Sequence, residues 1–277
     1  MHSYFDASMA QVSSFPLDLE RHIFETVAAL EPAMIPSLLR VCRRIHSWLE
    51  PLLFRVVVLD KGHKMLSAVK SRSPEVLRAG VRHLFLDEAG GGCESWPGLF
   101  SHCAKLTQVE LWLGPEGVTP YLPALSNLRL QSLALMLLPH HQFPLTQRLF
   151  LSVTHLDILL TSDVPGVWAD WAHLAALPAL THLCLGKDIL GPILPQLVVQ
   201  CPRLIVICTA LGSATQADRF ADTLPVDDVR VVVRIVLDYL VDWERGARSG
   251  DDFWARAERF IAHKRRGEIY AQCRTLF

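Results

Sequence analysis

Along most of the chain the apolar positions follow one short pattern: an apolar residue, two of any kind, a second apolar residue, one of any kind, and a third. Clear copies stand at Leu53, Val56, Val58; at Val81, Leu84, Leu86; and at Leu106, Val109, Leu111. They continue at Leu130, Leu133, Leu135; Val153, Leu156, Ile158; and Leu180, Leu183, Leu185. Weaker copies follow at Cys201, Leu204, Val206 and at Val226, Val229, Val231. The last two positions of each copy alternate, so they share one face of a short strand, and the first lies in the preceding turn. Between copies, residues 166–177 carry Val167, Trp171, Leu174 and Leu177 at helical spacing, and residues 189–200 carry Ile193, Leu194, Leu197 and Val198. Residues 139–144 are too proline-rich for a helix and read as an extended or 3₁₀ connection.

Successive copies start 21 to 28 residues apart, the period of leucine-rich repeats. Parallel stacking of such units would bury Leu84, Val109, Leu133, Leu156 and Leu183 in one row of a curved sheet. Only Asp188 approaches the polar residue that regular repeats place after the strand, so the array is irregular. An ordinary α/β domain is the other arrangement these elements allow. The residues alternating with the apolar ones should then line the concave face: His83, Phe85 and Asp87; Gln108, Glu110 and Trp112; His155 and Asp157; His182. That polar and aromatic set suits a protein substrate, against the plain alternative of solvated strand residues.

Residues 15–49 change period. Leu19, Ile23, Val27 and Leu30 form one stripe of a helix starting near Pro16, a residue suited to that position, and Phe24 with Ala28 widens it. A second helix carries Ile35, Leu38, Leu39, Cys42, Ile45 and Leu49 on one face, with Met34, Val41 and Trp48 on another. Two short helices cannot bury that much apolar surface between themselves. At the other end, a last strand over residues 229–236 leads through a turn at 242–250 into a helix. Asp251 or Asp252 is its N-cap and Gly267 its stop. Its apolar face, Phe253, Ala257, Phe260 and Ile261, should cap the array, with Trp254 and Phe260 on the final coil.

Composition sharpens this picture in three ways. The chain of 277 residues is 51% hydrophobic with a mean hydropathy of +0.26, yet its longest apolar run, residues 133–138, falls far short of the roughly 20 residues of a membrane-spanning helix. The net charge of -1 offers no general attraction to nucleic acid. The 7 cysteines include no CxxC pair and read as reduced, mostly buried thiols. Residues 1–14 carry neither the basic flank nor the apolar run of a signal peptide. The expected compartment is the cytoplasm. Lys264, Arg265 and Arg266 form the one short basic run that would suit nuclear import, although cations there also oppose the helix dipole.

No enzyme motif is present: no GxSxG, no HExxH, no Walker loop. The Gly90-Gly91-Gly92 run lacks the lysine of a phosphate loop and reads as a turn. An enzymatic reading would need His155, Asp157 and His182 to converge on a pocket. No catalytic residue, metal or cofactor is expected.

The N-terminal residues resemble an F-box. FPLDLERHIF followed by LLRVCRRI matches the family pattern at Phe15, Pro16, Leu17, Leu19, Ile23, Leu38, Leu39, Val41, Cys42 and Arg43, with Asp18 in place of the usual Glu and Ile45 in place of the Trp. More broadly, the PLDLE start, EPLLFRVV and the Trp-containing DWERGA and DFWARAE stretches resemble the F-box-like proteins abundant in mushroom-forming fungi. The resemblance implies a Skp-type linker of a cullin–RING ubiquitin ligase as partner of those ten residues. It also implies an unknown protein substrate, for which the strand alternation above offers His83, Phe85, Asp87, Glu110, Trp112, His155, Asp157 and His182. The expected layout is a flexible tail over 1–14, F-box-like helices over 15–50, a leucine-rich-repeat-like array over 51–236 and a C-terminal cap over 237–277. The class is α/β with parallel strands and the function that of a non-enzymatic adaptor. The alternative is a repeat-based interaction module with no ligase association.

Overall fold

The computed structural model describes residues 15–60, 64–87, 97–112, 118–137, 148–160, 166–270 and 273–276. The tail expected at 1–14, the Gly90–Gly92 run and the 139–144 connection lie outside the described residues. The chain divides into two compact units, Met1–Leu53 and Phe54–Phe277.

In the first unit, helix α1 (Leu17–Leu30) follows Pro16 and carries Asp18 and Glu20 in its first turn, where the helix dipole favours acidic groups. The single second helix expected from the sequence is in fact broken. A 3₁₀ turn (Pro32–Met34), a one-turn helix α2 (Ile35–Leu38) and helix α3 (Arg43–Leu53) take its place. Pro32 and Pro36 each sit in the first turn of a new segment, where the missing N–H costs nothing. Arg40 and Val41 then bond three residues back, to Ser37 and Leu38, which tightens the chain before α3 restarts it. The core of this unit is small: Ala28, Ile35, Ile45 and Leu49, with Phe24, Leu38, Leu39, Trp48, Leu52 and Leu53 packed around them.

Among the described residues, the second unit is built on nine parallel strands in strict sequence order. They are β1 (Val56–Leu59), β2 (His83–Asp87), β3 (Gln108–Trp112), β4 (Ser132–Leu137), β5 (His155–Leu160), β6 (His182–Leu185), β7 (Val206–Leu211), β8 (Val231–Ile235) and β9 (Thr275–Leu276). The helices between them are α4 (Lys64–Lys70), α5 (Pro74–Gly80), α6 (Pro97–His102), α7 (Leu122–Leu125), α8 (Trp168–Trp171), α9 (Lys187–Gln200) and α10 (Ala214–Thr223). After β8 come α11 (Tyr239–Ser249) and α12 (Phe253–Arg265). This is an α/β architecture with a parallel sheet.

The register brings Val57, Leu84, Val109, Leu133, Leu156, Leu183, Ile207 and Val231 into one lateral row, all fully buried. The five row members expected from the sequence are therefore neighbours in one sheet. The first, seventh and eighth copies were read out of register. Val57 and Leu59, not Val56 and Val58, continue the row, and Ile207 and Val231 replace Leu204 and Val229. Runs such as Val56-Val57-Val58 and Val231-Val232-Val233 hide the alternation that identifies a face.

That ambiguity has a structural cause, because both faces of the sheet are covered. Of residues 242–250, expected as a turn, 242–249 belong to α11. The Asp238 carboxylate caps it by accepting from the Val241 amide, and Gly250 ends it with φ of 76°, the left-handed conformation that glycine adopts without strain. Gly246 lets α12 follow closely, since a Cβ there would lie 2.5 Å from Asp252 Cβ. Asp252 caps α12, as expected, by accepting from the Ala255 amide. Trp254 and Phe260 pack on the last strands, as expected, but the two helices together cover a face of the sheet and not only its end. Trp243 and Ala247 pack on Val56 and Phe85, and Trp254, Ala257, Phe260 and Ile261 pack on Cys184, Val206, Cys208 and Val232. They lie across the sheet face that alternates with the buried row, and the far edge is taken by β9 pairing with β8. No helix among the described residues is long and apolar enough to cross a membrane.

Candidate functional site

The first unit leaves much of its apolar surface in solvent. On α1 the stripe turned inward is Phe24 and Ala28. Leu19, Ile23 and Leu30, which share another side of the helix by spacing, are exposed, as are Phe15 and Leu17 before them. Met34 and Val41 add to this, with Leu17 and Val41 each 58% exposed. Scattered apolar side chains at a surface are ordinary, but seven between Phe15 and Val41 are dense enough to make this surface a candidate site. The helices beneath are held firmly: Arg44 of α3 reaches both carboxylate oxygens of Glu20 on α1 at 2.8 and 2.6 Å. Of the ten residues expected to meet a linker, Phe15, Pro16, Leu17, Leu19, Ile23, Val41, Cys42 and Arg43 are exposed. Leu38 and Leu39 are half-buried at the edge of the core.

The residues expected to face a substrate have a different fate. Phe85, Glu110, Asp157 and His182 are buried beneath α11 and α12, while His83, Asp87, Trp112 and His155 are half-buried. An open recognition face is thus not what this side of the sheet presents. Its polar groups serve one another. Glu110 accepts from the Trp112 indole at 3.0 Å. The Tyr239 hydroxyl, on α11, lies 3.1 Å from both Glu110 Oε2 and Asp157 Oδ2. Arg234 places Nη2 3.4 Å from Asp157 Oδ2 and its guanidinium 3.5 Å over the Phe253 ring.

One hydroxyl proton cannot serve two carboxylates. One of the two acids must supply its own proton for both contacts to be hydrogen bonds. Burial raises the Asp157 carboxyl as well, but the Arg234 cation beside it opposes the rise, so the geometry favours Glu110 as the protonated member. Burial and then the Asp157 charge push the Glu110 carboxyl up to about 8, in keeping with the geometry.

On the neighbouring strands, His155 and His182 stack at 3.9 Å, and Trp254 meets both edge-on at 5.5 and 5.4 Å. Nε2 of His182 lies 2.7 Å from Glu258 of α12. Burial pushes His155 down to about 3, helped by His182, and His182 down to about 4, so the stacked pair is neutral at physiological pH. His83 is held by Gln108 at 2.9 Å. A cavity of about 10 Å³ beside Arg234, Tyr239 and Trp243 has room for one water and no substrate. No group of three or more His, Cys, Asp or Glu side chains among the described residues could hold a metal ion. Lys264 of the C-terminal basic run is buried, which breaks up the exposed cluster an import signal needs.

Arg234, Tyr239, Trp243 and Glu258 were not anticipated as partners of the strand residues. A signal for the cover was present: β1, β6, β7 and β8 are near-continuous apolar runs, the mark of strands buried on both faces. The exposed surface of the first unit is therefore the stronger candidate site. Set against known proteins, the chain matches no family model and no curated protein.

Proposed function

We propose that this chain is a non-enzymatic adaptor, the substrate-recognition subunit of a Skp–cullin–F-box type ubiquitin ligase, whose N-terminal helices take the linker. The observation that carries the reading is the exposure of Phe15, Leu17, Leu19, Ile23 and Val41 at the positions where the sequence resembles an F-box. A second support is the sheet: one parallel strand every 23 to 27 residues, in sequence order, is what an irregular leucine-rich-repeat solenoid would build. The substrate in this reading is met outside the sheet face that α11 and α12 cover.

An interface of standard size is dominated by a few apolar anchors. Val41→Asp leaves the free protein folded, because a carboxylate at a 58% exposed position stays hydrated. In the complex the same charge is stripped of water without a partner, at a cost of roughly 2–4 kcal/mol, or on the order of a hundredfold in affinity. Calorimetry of wild type and Val41→Asp against a purified Skp-type linker, with circular dichroism as folding control, tests this. A folded wild type with no measurable heat of binding at about tens of micromolar overturns the ligase reading and leaves an interaction module.

A further inference from the structure

Between the end of α2 and the start of α3 the first unit carries an open groove of about 510 Å³, lined by Leu39, Arg40, Cys42, Arg43 and His46. Its apolar floor is the half-buried Leu39, its positive charge comes from Arg40 and Arg43, and the Glu50 carboxylate sits 3.9 Å from His46 and outside the lining. Elsewhere in this unit the cations are matched, Arg21 by Glu25 at 2.7 Å and Arg44 by Glu20 at 2.6 Å. Among the described residues Arg40 and Arg43 have no such partner. The local sequence makes this costly, since α3 has Arg43 and Arg44 at its start and no acidic residue in its first turn, where the dipole disfavours cations. Positive charge held at a cost, beside an apolar floor, is charge awaiting a complement.

We propose that this groove receives an acidic segment of the protein partner, with carboxylates against Arg40 and Arg43 and an apolar side chain on Leu39. Guanidinium forks match carboxylates in planarity and bond number. A nucleic acid is the poorer fit. Residues 15–53 contain four arginines, no lysine and five carboxylates, so the cationic ground is one groove wide, whereas a phosphate backbone needs a basic face. The inference rests on the reading of this unit as a protein-binding surface and adds the chemistry of what it binds.

The test uses the full chain, labelled for NMR, and a synthetic peptide in which glutamates flank two leucines, with its glutamine counterpart as control. The acidic peptide shifts the resonances of Leu39, Cys42 and His46 in a saturable, salt-sensitive way. Arg40→Glu with Arg43→Glu weakens this by about tenfold, the worth of two reversed surface ion pairs. Both positions are exposed, and Arg40→Gln with Arg43→Gln, which adds no charge, gives a smaller loss in the same direction. Equal shifts from the two peptides, unchanged binding by the variants, or stronger shifts from a single-stranded oligonucleotide or anionic vesicles overturn the proposal. Uptake of the linker without the acidic peptide sinks the groove and leaves the adaptor reading. Uptake of the peptide without the linker does the reverse.

Discussion

Replacing Glu110 by Gln tests whether the buried carboxyl carries a proton. The amide reproduces what a protonated Glu110 does: its oxygen accepts from the Trp112 indole and its NH₂ donates to the Tyr239 oxygen, freeing the Tyr239 proton for Asp157. In the wild type the folded-state value lies near 8 against an ordinary 4.5. A group raised in this way contributes stability that is fully present below 4.5 and is lost as pH rises through about 8. Over that interval the folded state holds one proton the unfolded chain has released, so stability falls by about 1.4 kcal/mol per pH unit. Across the whole interval the loss is roughly 4–5 kcal/mol, to order of magnitude. Urea unfolding followed by tryptophan fluorescence at pH 5, 6, 7 and 8 measures it. Wild type and Glu110→Gln should be close in stability at pH 5 and diverge steadily, with the variant the more stable at pH 8. Contributions from other titrating groups cancel in the difference. A difference that does not change between pH 5 and 8 refutes the reasoning, because it means Glu110 is ionised in the fold.

The stacked histidines predict the opposite trend on the acid side. Their folded values, about 3 and about 4, lie below the ordinary 6.5, so the folded state refuses protons that the unfolded chain accepts below pH 6.5. Melting of wild type against His155→Gln with His182→Gln should show a penalty specific to the wild type that grows from pH 6.5 to pH 4.5; parallel curves would contradict it. Trp254, 4% exposed and edge-on to both rings, should cost about 3–5 kcal/mol when replaced by Ala, read by chemical denaturation. A loss below about 1 kcal/mol, within the range of a surface change, would show that α12 is not seated as described. Truncation after Leu240 removes most of α11 together with α12 and β9 and should yield aggregation. A soluble product with an unchanged melting temperature would refute the covering role.

Much of this molecule was legible in one dimension. The period of the leucines determined that short parallel strands stack in order, because each buried pair must alternate along its strand and recur once per unit. The row Leu84, Val109, Leu133, Leu156, Leu183 follows from that alone. Helical spacing likewise located α1 and α12, and Asp252 and Gly267 marked where α12 begins and where the chain turns after it. Register in the all-apolar strands was not legible. Val56-Val57-Val58 satisfies either face, and only pairing with β2 selects Val57. Nor was the fate of the polar strand residues. Glu110, Asp157, His155 and His182 read as solvent-facing because nothing in their own strands supplies partners. Tyr239, Arg234 and Glu258 come from 76 to 129 residues further along the chain. Local sequence determines which residues can alternate or coil. Which surface finds a cover is decided by long-range packing, and here α11 and α12 took the sheet face while the apolar side of α1 was left in solvent.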